Sequence, residues 1–353
     1  MRLPLSLDPR RIQKTGAPIT TMWLLGDCQE ARGKQDLWAT QKPEILDVLR
    51  EQAMIQSIES SNRIEGVTVD ARRLRPLVIG RSRPRDRSEE ELAGYRAALD
   101  WIFGLRRPPD ITPELILHLH RMAQSSNDAG KWKERNNEIV EIPPSGEPVV
   151  RFAPLSARRT PAAVEALCAR YHSSIEARTV PPLLLIATFV LDFLCIHPFR
   201  DGNGRVSRLL TSMLLMGERF EAPRFVSLER LVEDPKSEYF RVLKTCSQDW
   251  RHGRNEMLPW WNYFLAVLKN AYREFARQVE TAGARPSKGS LVRQTALMQL
   301  EPFTLAALGA QVPSASPQLI RKELARLKGD GLVRPAGRGR GAVWTVARAR
   351  KRN

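Results

Sequence analysis

The segment from His197 to Arg208 reads HPFRDGNGRVSR, and it gathers one imidazole, one carboxylate, two glycines around an amide, and a pair of arginines, Arg205 and Arg208, three apart. Those are the parts needed to hold a polyphosphate and to remove a proton beside it. His197, with an intrinsic pKa near ~6.5, suits a general base at neutral pH. Asp201 offers the single carboxylate that Mg²⁺ favours when phosphates and waters complete its shell. Gly202, Asn203 and Gly204 form a short loop whose N–H groups can turn toward an anion, glycine allowing the close approach.

Beyond the loop, Leu209, Leu210, Met213 and Leu214 recur with helical spacing. The loop therefore opens a helix, and a helix N-terminus with unpaired N–H groups is a ready anion site. Arg205 and Arg208 share a face there and are expected to reach different oxygens of one phosphate chain. A transition-metal pair of His197 and Asp201 is disfavoured, because no further His or Cys cluster completes it. Cys195, two residues before His197, sits among Phe193, Leu194 and Ile196 and reads as a buried inert thiol.

The twelve residues resemble the Fic motif HPFx(D/E)GN(G/K)RxxR at every specified position. The resemblance implies adenylylation: a protein hydroxyl attacks the α-phosphate of ATP and pyrophosphate leaves. It implies that His197 is the base, Asp201 the magnesium ligand, and Gly202, Asn203 and Gly204 the anion hole. Arg205 and Arg208 then lie on the phosphates, with Phe199 a buried anchor of the loop. The lysine of Doc-type kinases is replaced by Gly204, which argues against kinase chemistry. A SEYY segment beside the base in the family is SEYF here, with Tyr239 kept and Phe240 substituted, and a downstream asparagine is Ser247.

These residues need elements to hold them. The most apolar stretch, Leu183 to Ile196, is interrupted by Asp192 and is too short to cross a bilayer. It reads as the central buried helix of a bundle, feeding straight into the motif. Upstream, Ile45, Leu46, Leu49, Ala53, Met54 and Ile58 mark an amphipathic helix that ends in SSNRIEGV, where Gly66 suits a left-handed cap. The same residues match the family's inhibitory motif (S/T)xxxE(G/N) through Ser61, Glu65 and Gly66. The resemblance then implies that Glu65 pairs with Arg208 and holds the enzyme off at rest.

The first forty residues show no clear period and are expected to pack onto the helices that come after them. Residues 72–88, rich in Arg and Pro, read as a basic loop. Glu138 to Ile142 alternates as a strand, Pro143-Pro144-Ser145-Gly146 turns, and Val149 to Phe152 returns. In the resembling family such a hairpin is the flap that pairs with an extended segment of the target. Helices are expected from Pro161, from Pro182, across the SLERLVEDPKSEYF region as one element, and through the Trp-rich MLPWW segment. His118 and His120 fall on different helix faces, which disfavours joint metal binding.

A linker, Thr281 to Ser290, precedes a compact pattern with a short helix at FTLAALGA, a turn through Pro313, and a helix capped by Ser316 with Pro317 at its first position. LVRPAGRGRGAVWTV supplies two strands around a Gly/Arg turn. The pattern looks like a winged helix-turn-helix, with Gln318, Arg321, Lys322, Arg338 and Arg340 placed to meet DNA.

The expected architecture is mainly α: a Fic-type helical bundle with a β-hairpin flap, plus a small C-terminal winged-helix domain. Its parts are an N-terminal region 1–85, a catalytic domain 86–283 and a C-terminal domain 284–353. Net charge is +17 over 353 residues. Residues 321–353 hold eleven Lys or Arg against Glu323 and Asp330, so the excess concentrates where a polyanion would bind. Four cysteines without paired spacing and no leader-like N-terminus point to a reducing, cytoplasmic setting. Expected ligands are ATP and Mg²⁺. Expected partners are a target protein, DNA, and a second copy of the chain. Two alternatives are AMP removal assisted by Glu65, and a DNA-binding regulator whose Fic domain senses nucleotide.

Overall fold

A computed structural model describes residues 3–347 except 42, 68, 79, 81, 142–146, 148, 235, 284–287, 300–301, 313–314 and 338–341. The helices in chain order begin with α1 (Pro9–Thr15), α2 (Ile19–Gln41), α3 (Pro43–Ile64), α4 (Ala71–Val78), α5 (Arg87–Gly104) and α6 (Pro113–Ala123). Strands β1 (Ile139–Glu141) and β2 (Val149–Phe152) follow, then α7 (Thr160–Ala177), α8 (Pro182–Ile196), α9 (Asn203–Gly217), α10 (Leu228–Glu233), α11 (Lys236–Ser247) and α12 (Leu258–Gly283). The chain closes with α13 (Lys288–Leu297), β3 (Phe303–Thr304), α14 (Leu305–Gln311), α15 (Pro317–Gly329), β4 (Val333–Ala336) and β5 (Val343–Val346). The mainly helical expectation therefore holds, with small sheets.

By contact the chain divides into two compact units: Met1–Thr68 with Leu77–Ala276, and Val69–Pro76 with Arg277–Asn353. The expected break at 283 lies near the second division. Helix α3, within the expected N-terminal region 1–85, packs on α5, α9 and α10 in the first unit.

In the first unit α8 is the axis. Thirteen of its fifteen residues are buried, and it packs between α7 and α9. Its one acid, Asp192, is buried because it has partners: its carboxylate accepts from Ser6 N at 2.9 Å, Leu7 N at 2.8 Å and Trp250 Nε1 at 2.6 Å. Burial pushes this carboxyl up against the pull of those three donors. The unpatterned N-terminus is thereby tied to the core, with Leu5, Leu7 and Ile12 buried.

The first forty residues, for which the sequence shows no clear period, are helical in α1 and α2, α1 being capped by the Asp8 side chain. Two expectations are corrected here. The basic stretch after Asp70 begins as α4, because Leu74, Leu77 and Val78 recur on one face and are buried. The SLERLVEDPKSEYF region is two helices, α10 and α11, since a proline at 235 lacks the N–H that a continuous helix needs there.

Where the flap was expected, β1 and β2 pair antiparallel, Val140 opposite Val150. The anticipated Pro143–Gly146 turn lies outside the described residues. In the second unit a core of Val292, Ala296, Leu308, Ile320, Leu324 and Leu327 is covered by a sheet ordered β3-β5-β4. Ser316 caps α15 through Leu319 N, with Pro317 next, as expected. Of the expected linker, residues 281–283 end α12 and 288–290 begin α13, and 284–287 lie outside the described residues. The turn through Pro313 and the Gly/Arg turn of the wing fall outside the described residues. None of the described helices is long and apolar enough to cross a membrane.

Candidate active site

The loop between α8 and α9 is held by its own side chains. His197 ends α8 in a left-handed conformation, φ 50 and ψ 63, with its N–H bonded to Phe193 O. Its Nδ1 lies 3.3 Å from Leu194 O. A carbonyl can only accept, so that bond places the proton on Nδ1 and leaves the Nε2 lone pair as the base. Burial, and then the charge of Lys133, lower the His197 pKa to about 4, so the imidazole is neutral at physiological pH.

Phe199 is fully buried, stacked on His120 at 3.7 Å between centroids and on Trp132 at 5.2 Å. The Asn203 side chain accepts from Phe199 N and donates to Phe199 O, both at 2.9 Å. Asn203 therefore clasps the loop with its amide, and its contribution to an anion hole is its backbone. Gly202 has φ +80, and a Cβ there would crowd Gln124 and His120. From Asn203 onward the first amides of α9 have no intrahelical acceptor. The glycine-lined helix start expected from the spacing is present.

Asp201 points to the outer rim. Its carboxylate accepts from Gly202 N at 2.7 Å, Arg87 Nη2 at 3.1 Å and Gln124 Nε2 at 3.3 Å. Partial burial works to raise its pKa, but the Gly202 N–H, Arg205, Gln124 and Arg87 together hold it below the ordinary range. It opens onto a polar hollow lined by His120, Ser126, Asn127 and Asp128.

The two arginines diverge. Arg205 is 1% exposed, its Nη1 2.9 Å from Glu91 Oε2 and 3.2 Å from Ala123 O, its Nη2 2.6 Å from Gln124 Oε1. Those bonds tie α9 to α5 and α6, so the expected reach of Arg205 to a phosphate is corrected: its donors are turned into the bundle. Arg208 carries the other role. Its Nε donates to Ser61 Oγ at 2.9 Å, and its Nη2 to Ser61 O at 3.0 Å and Glu65 Oε1 at 2.7 Å. Nη1 has no partner among the described residues.

Gly66 has φ +80 and stops α3, with Val67 N returning to Asn62 O. That stop leaves Glu65 over the helix start, where Oε1 occupies the space a Cβ at Gly204 would fill. Ser61 and Glu65 thus both meet Arg208, and Gly66 ends the helix that carries them.

One cleft joins these parts. Glu65, His197 and Gly204 share it with Glu138, Ile139, Arg151 and Phe152 of the hairpin region and with Tyr239, Phe240, Leu243 and Ser247 of α11. Burial pushes the Tyr239 hydroxyl up to about 12, with nearby Arg208 opposing. Arg151 donates to Phe240 O at 2.8 Å and lies over its ring, which links the hairpin to α11. Cys195 lines the same cleft but is 2% exposed, and burial raises its thiol well above normal.

Sequence reasoning missed Arg87, Glu91, His120, Gln124, Lys133 and Asn137, all of which support the loop. His120 accepts from Gly130 N at Nδ1 and so donates from Nε2 to Asp201 O at 3.1 Å. His118 packs edge-on against Trp101 instead, so the two histidines do part company.

Residues 110–215 match the family described as Fic/DOC. Relatives named protein adenylyltransferase Fic from Drosophila melanogaster and Drosophila sechellia are each 29% identical over 210 residues, which is 56% of this chain and 38% of theirs. The match thus spans well under half the length of those relatives. A crystal structure of a Fic domain containing signaling protein from Bacteroides thetaiotaomicron superposes with a TM-score of 0.60 at 23% identity, covering 72% of this chain and 97% of that one. A Fic family protein from Desulfovibrio desulfuricans gives 0.59 at 20% identity over 96% of this chain and 98% of its own.

Proposed function

Because residues 110–215 form a Fic/DOC family domain, we propose that this chain is a protein adenylyltransferase held inactive at rest by Glu65. The observation that carries the reading is the Glu65–Arg208 pair, whose acid closes over the helix start in the cleft that His197 lines.

In the proposed reaction ATP lies in that cleft with its phosphates on the amides of Gly202, Asn203 and Gly204 and on Arg208. Nε2 of His197 takes the proton of a Ser, Thr or Tyr hydroxyl. The oxygen forms a bond to the α-phosphorus as the bond to the β-phosphate oxygen breaks, and pyrophosphate departs. The β1–β2 hairpin suits strand addition by an extended target segment. Arg205 fixes the start of α9 through Glu91 and Gln124. Asp201 fits a magnesium ion, since its acidic, half-exposed carboxylate is the one protein oxygen such a site requires; the ion would supply charge neutralisation on the phosphates.

Glu65 blocks this arrangement by holding Arg208 and by placing negative charge where the terminal phosphate belongs. The test is to incubate the Glu65→Gly form with α-labelled ATP and a cell lysate. Label on protein above the level given by the unchanged chain is expected; equal or lower labelling refutes the inhibitory role. No label from either form, with intact ATP binding, refutes transfer itself.

Since Glu65 shares the cleft with His197, AMP removal with Glu65 orienting a water is a second reading, tested by release of free AMP from an AMP-modified protein. The order α13, β3, α14, α15, β4, β5 supports a winged-helix module in the second unit. Gln318, Arg321, Lys322 and Arg326 are exposed along α15, a basic face suited to a DNA groove; Arg338 and Arg340 lie outside the described residues. Four buried, unpaired cysteines suit a reducing setting such as the cytoplasm.

A further inference from the structure

The segment between α6 and β1 carries a buried lysine beneath the base, and the reaction described above makes no use of it. Lys133 is 5% exposed. Its Nζ donates to Ile196 O at 3.0 Å and to Asn137 Oδ1 at 2.9 Å, and its backbone N–H donates to Pro198 O at 2.9 Å. Asn137 Nδ2 donates in turn to Phe199 O at 3.1 Å. Lys133 thus holds the carbonyls on either side of His197, and Asn137 shares that of Phe199 with Asn203.

His197 needs such support. A non-glycine residue in the left-handed region is strained and persists only where its surroundings over-determine it. A buried ammonium is itself costly, and a methionine would fill the same space without that penalty. The lysine's position makes sense if its donors are what the loop requires.

We propose that Lys133, acting with Asn137, is the positioning residue of His197: its donors clamp the flanking carbonyls and hold the left-handed turn that presents Nε2 to the cleft. Neither side chain touches substrate in this scheme. The proposal rests on His197 as the base. The imidazole also faces Glu65 and Asp201, whose charges oppose the effect of Lys133, and Lys133 itself faces Arg251.

The test uses the full chain carrying Glu65→Gly, compared with the same chain bearing Lys133→Met, Asn137→Ala, both, or Lys133→Arg. One readout is steady-state transfer of α-labelled AMP. The other is the NMR signal of the His197 ring, assigned by its loss in His197→Ala, which needs no turnover.

Lys133→Met is expected to lower kcat by roughly 10- to 100-fold while KM for ATP stays within about threefold, because a shifted base is felt in the chemical step. The double variant should be little worse than Lys133→Met alone, Lys133→Arg should recover part of the loss, and the ring should leave its single Nδ1–H tautomer. A folded Lys133→Met chain with parental kcat and parental His197 signals overturns the proposal. Equal loss of ATP binding and kcat in Asn137→Ala overturns it as well. If Lys133→Met does not fold, Asn137→Ala carries both readouts. If the Glu65→Gly parent transfers no label, the proposed activity fails, and the ring signals alone decide the clamp.

Discussion

Glu65 Oε1 accepts from Arg208 Nη2 at 2.7 Å while filling the space into which a Cβ at residue 204 would project. One carboxylate thus holds the arginine and covers the helix start, and glycine at 204 is what lets it do both. Gly204→Ala should therefore displace Glu65. In the unchanged chain it should lower the melting temperature through the lost pair. In the Glu65→Gly background it should be neutral or raise it, since alanine is the better helix former. A coupling of about 1–2 kcal/mol is expected from the four-variant cycle, and additive effects would refute the steric link.

Arg205 and Arg208 should separate in their phenotypes. Arg205→Met leaves the buried Glu91 to the exposed Arg87, and should cost about 3 kcal/mol in urea unfolding. Arg208→Met should cost less, because Glu65 is 32% exposed and water can take over, yet it should abolish ATP binding in the Glu65→Gly background. The reverse pattern would return Arg205 to the phosphates.

Burial lowers both His120 and His197 to about 4, below the ordinary value of an unfolded histidine near ~6.5. Between those values the unfolded chain binds protons that the folded chain does not. Stability should therefore fall as pH drops from ~6.5 toward 4, and His120→Asn should flatten that part of the melting-temperature profile. Transfer by the Glu65→Gly form should likewise lack an acid limb near ~6.5, the base being neutral there; a half-maximal rate at that pH would contradict the burial argument.

Arg321→Ala with Lys322→Ala should weaken binding of duplex DNA and make its salt dependence shallower, by about 0.9 in slope for each phosphate that the variant no longer neutralises. Fluorescence anisotropy at several salt concentrations measures this. Identical slopes would exclude α15 as the DNA-facing helix.

The twelve-residue motif and the helix before it were legible because their signals are local: residue types at short spacing, and an unbroken apolar run. The N-terminal helices were not, because α2 leaves Ile19, Met22, Trp23 and Leu37 exposed, so its apolar residues do not mark the buried face. Spacing put Arg205 beside Arg208, but Glu91 and Gln124, the partners that turn it inward, lie more than eighty positions away in the chain. Lys133 sits in a run, KWKERNN, that resembles any solvated turn. Only the folded loop brings the carbonyls of Ile196 and Pro198 onto it. Asp192 looked like an interruption of an apolar helix, and it is the anchor of the N-terminus instead.

Residues Val69–Pro76 begin four positions beyond Glu65 and yet group with Arg277–Asn353 in the second unit. Cutting the protein before residue 277 would therefore divide the second unit and leave Val69–Pro76, the segment that follows Glu65 in the chain, without the residues it groups with. A change of activity in such a fragment would report on that divided unit as much as on the residues removed, so point substitutions in the intact polypeptide are the cleaner instrument.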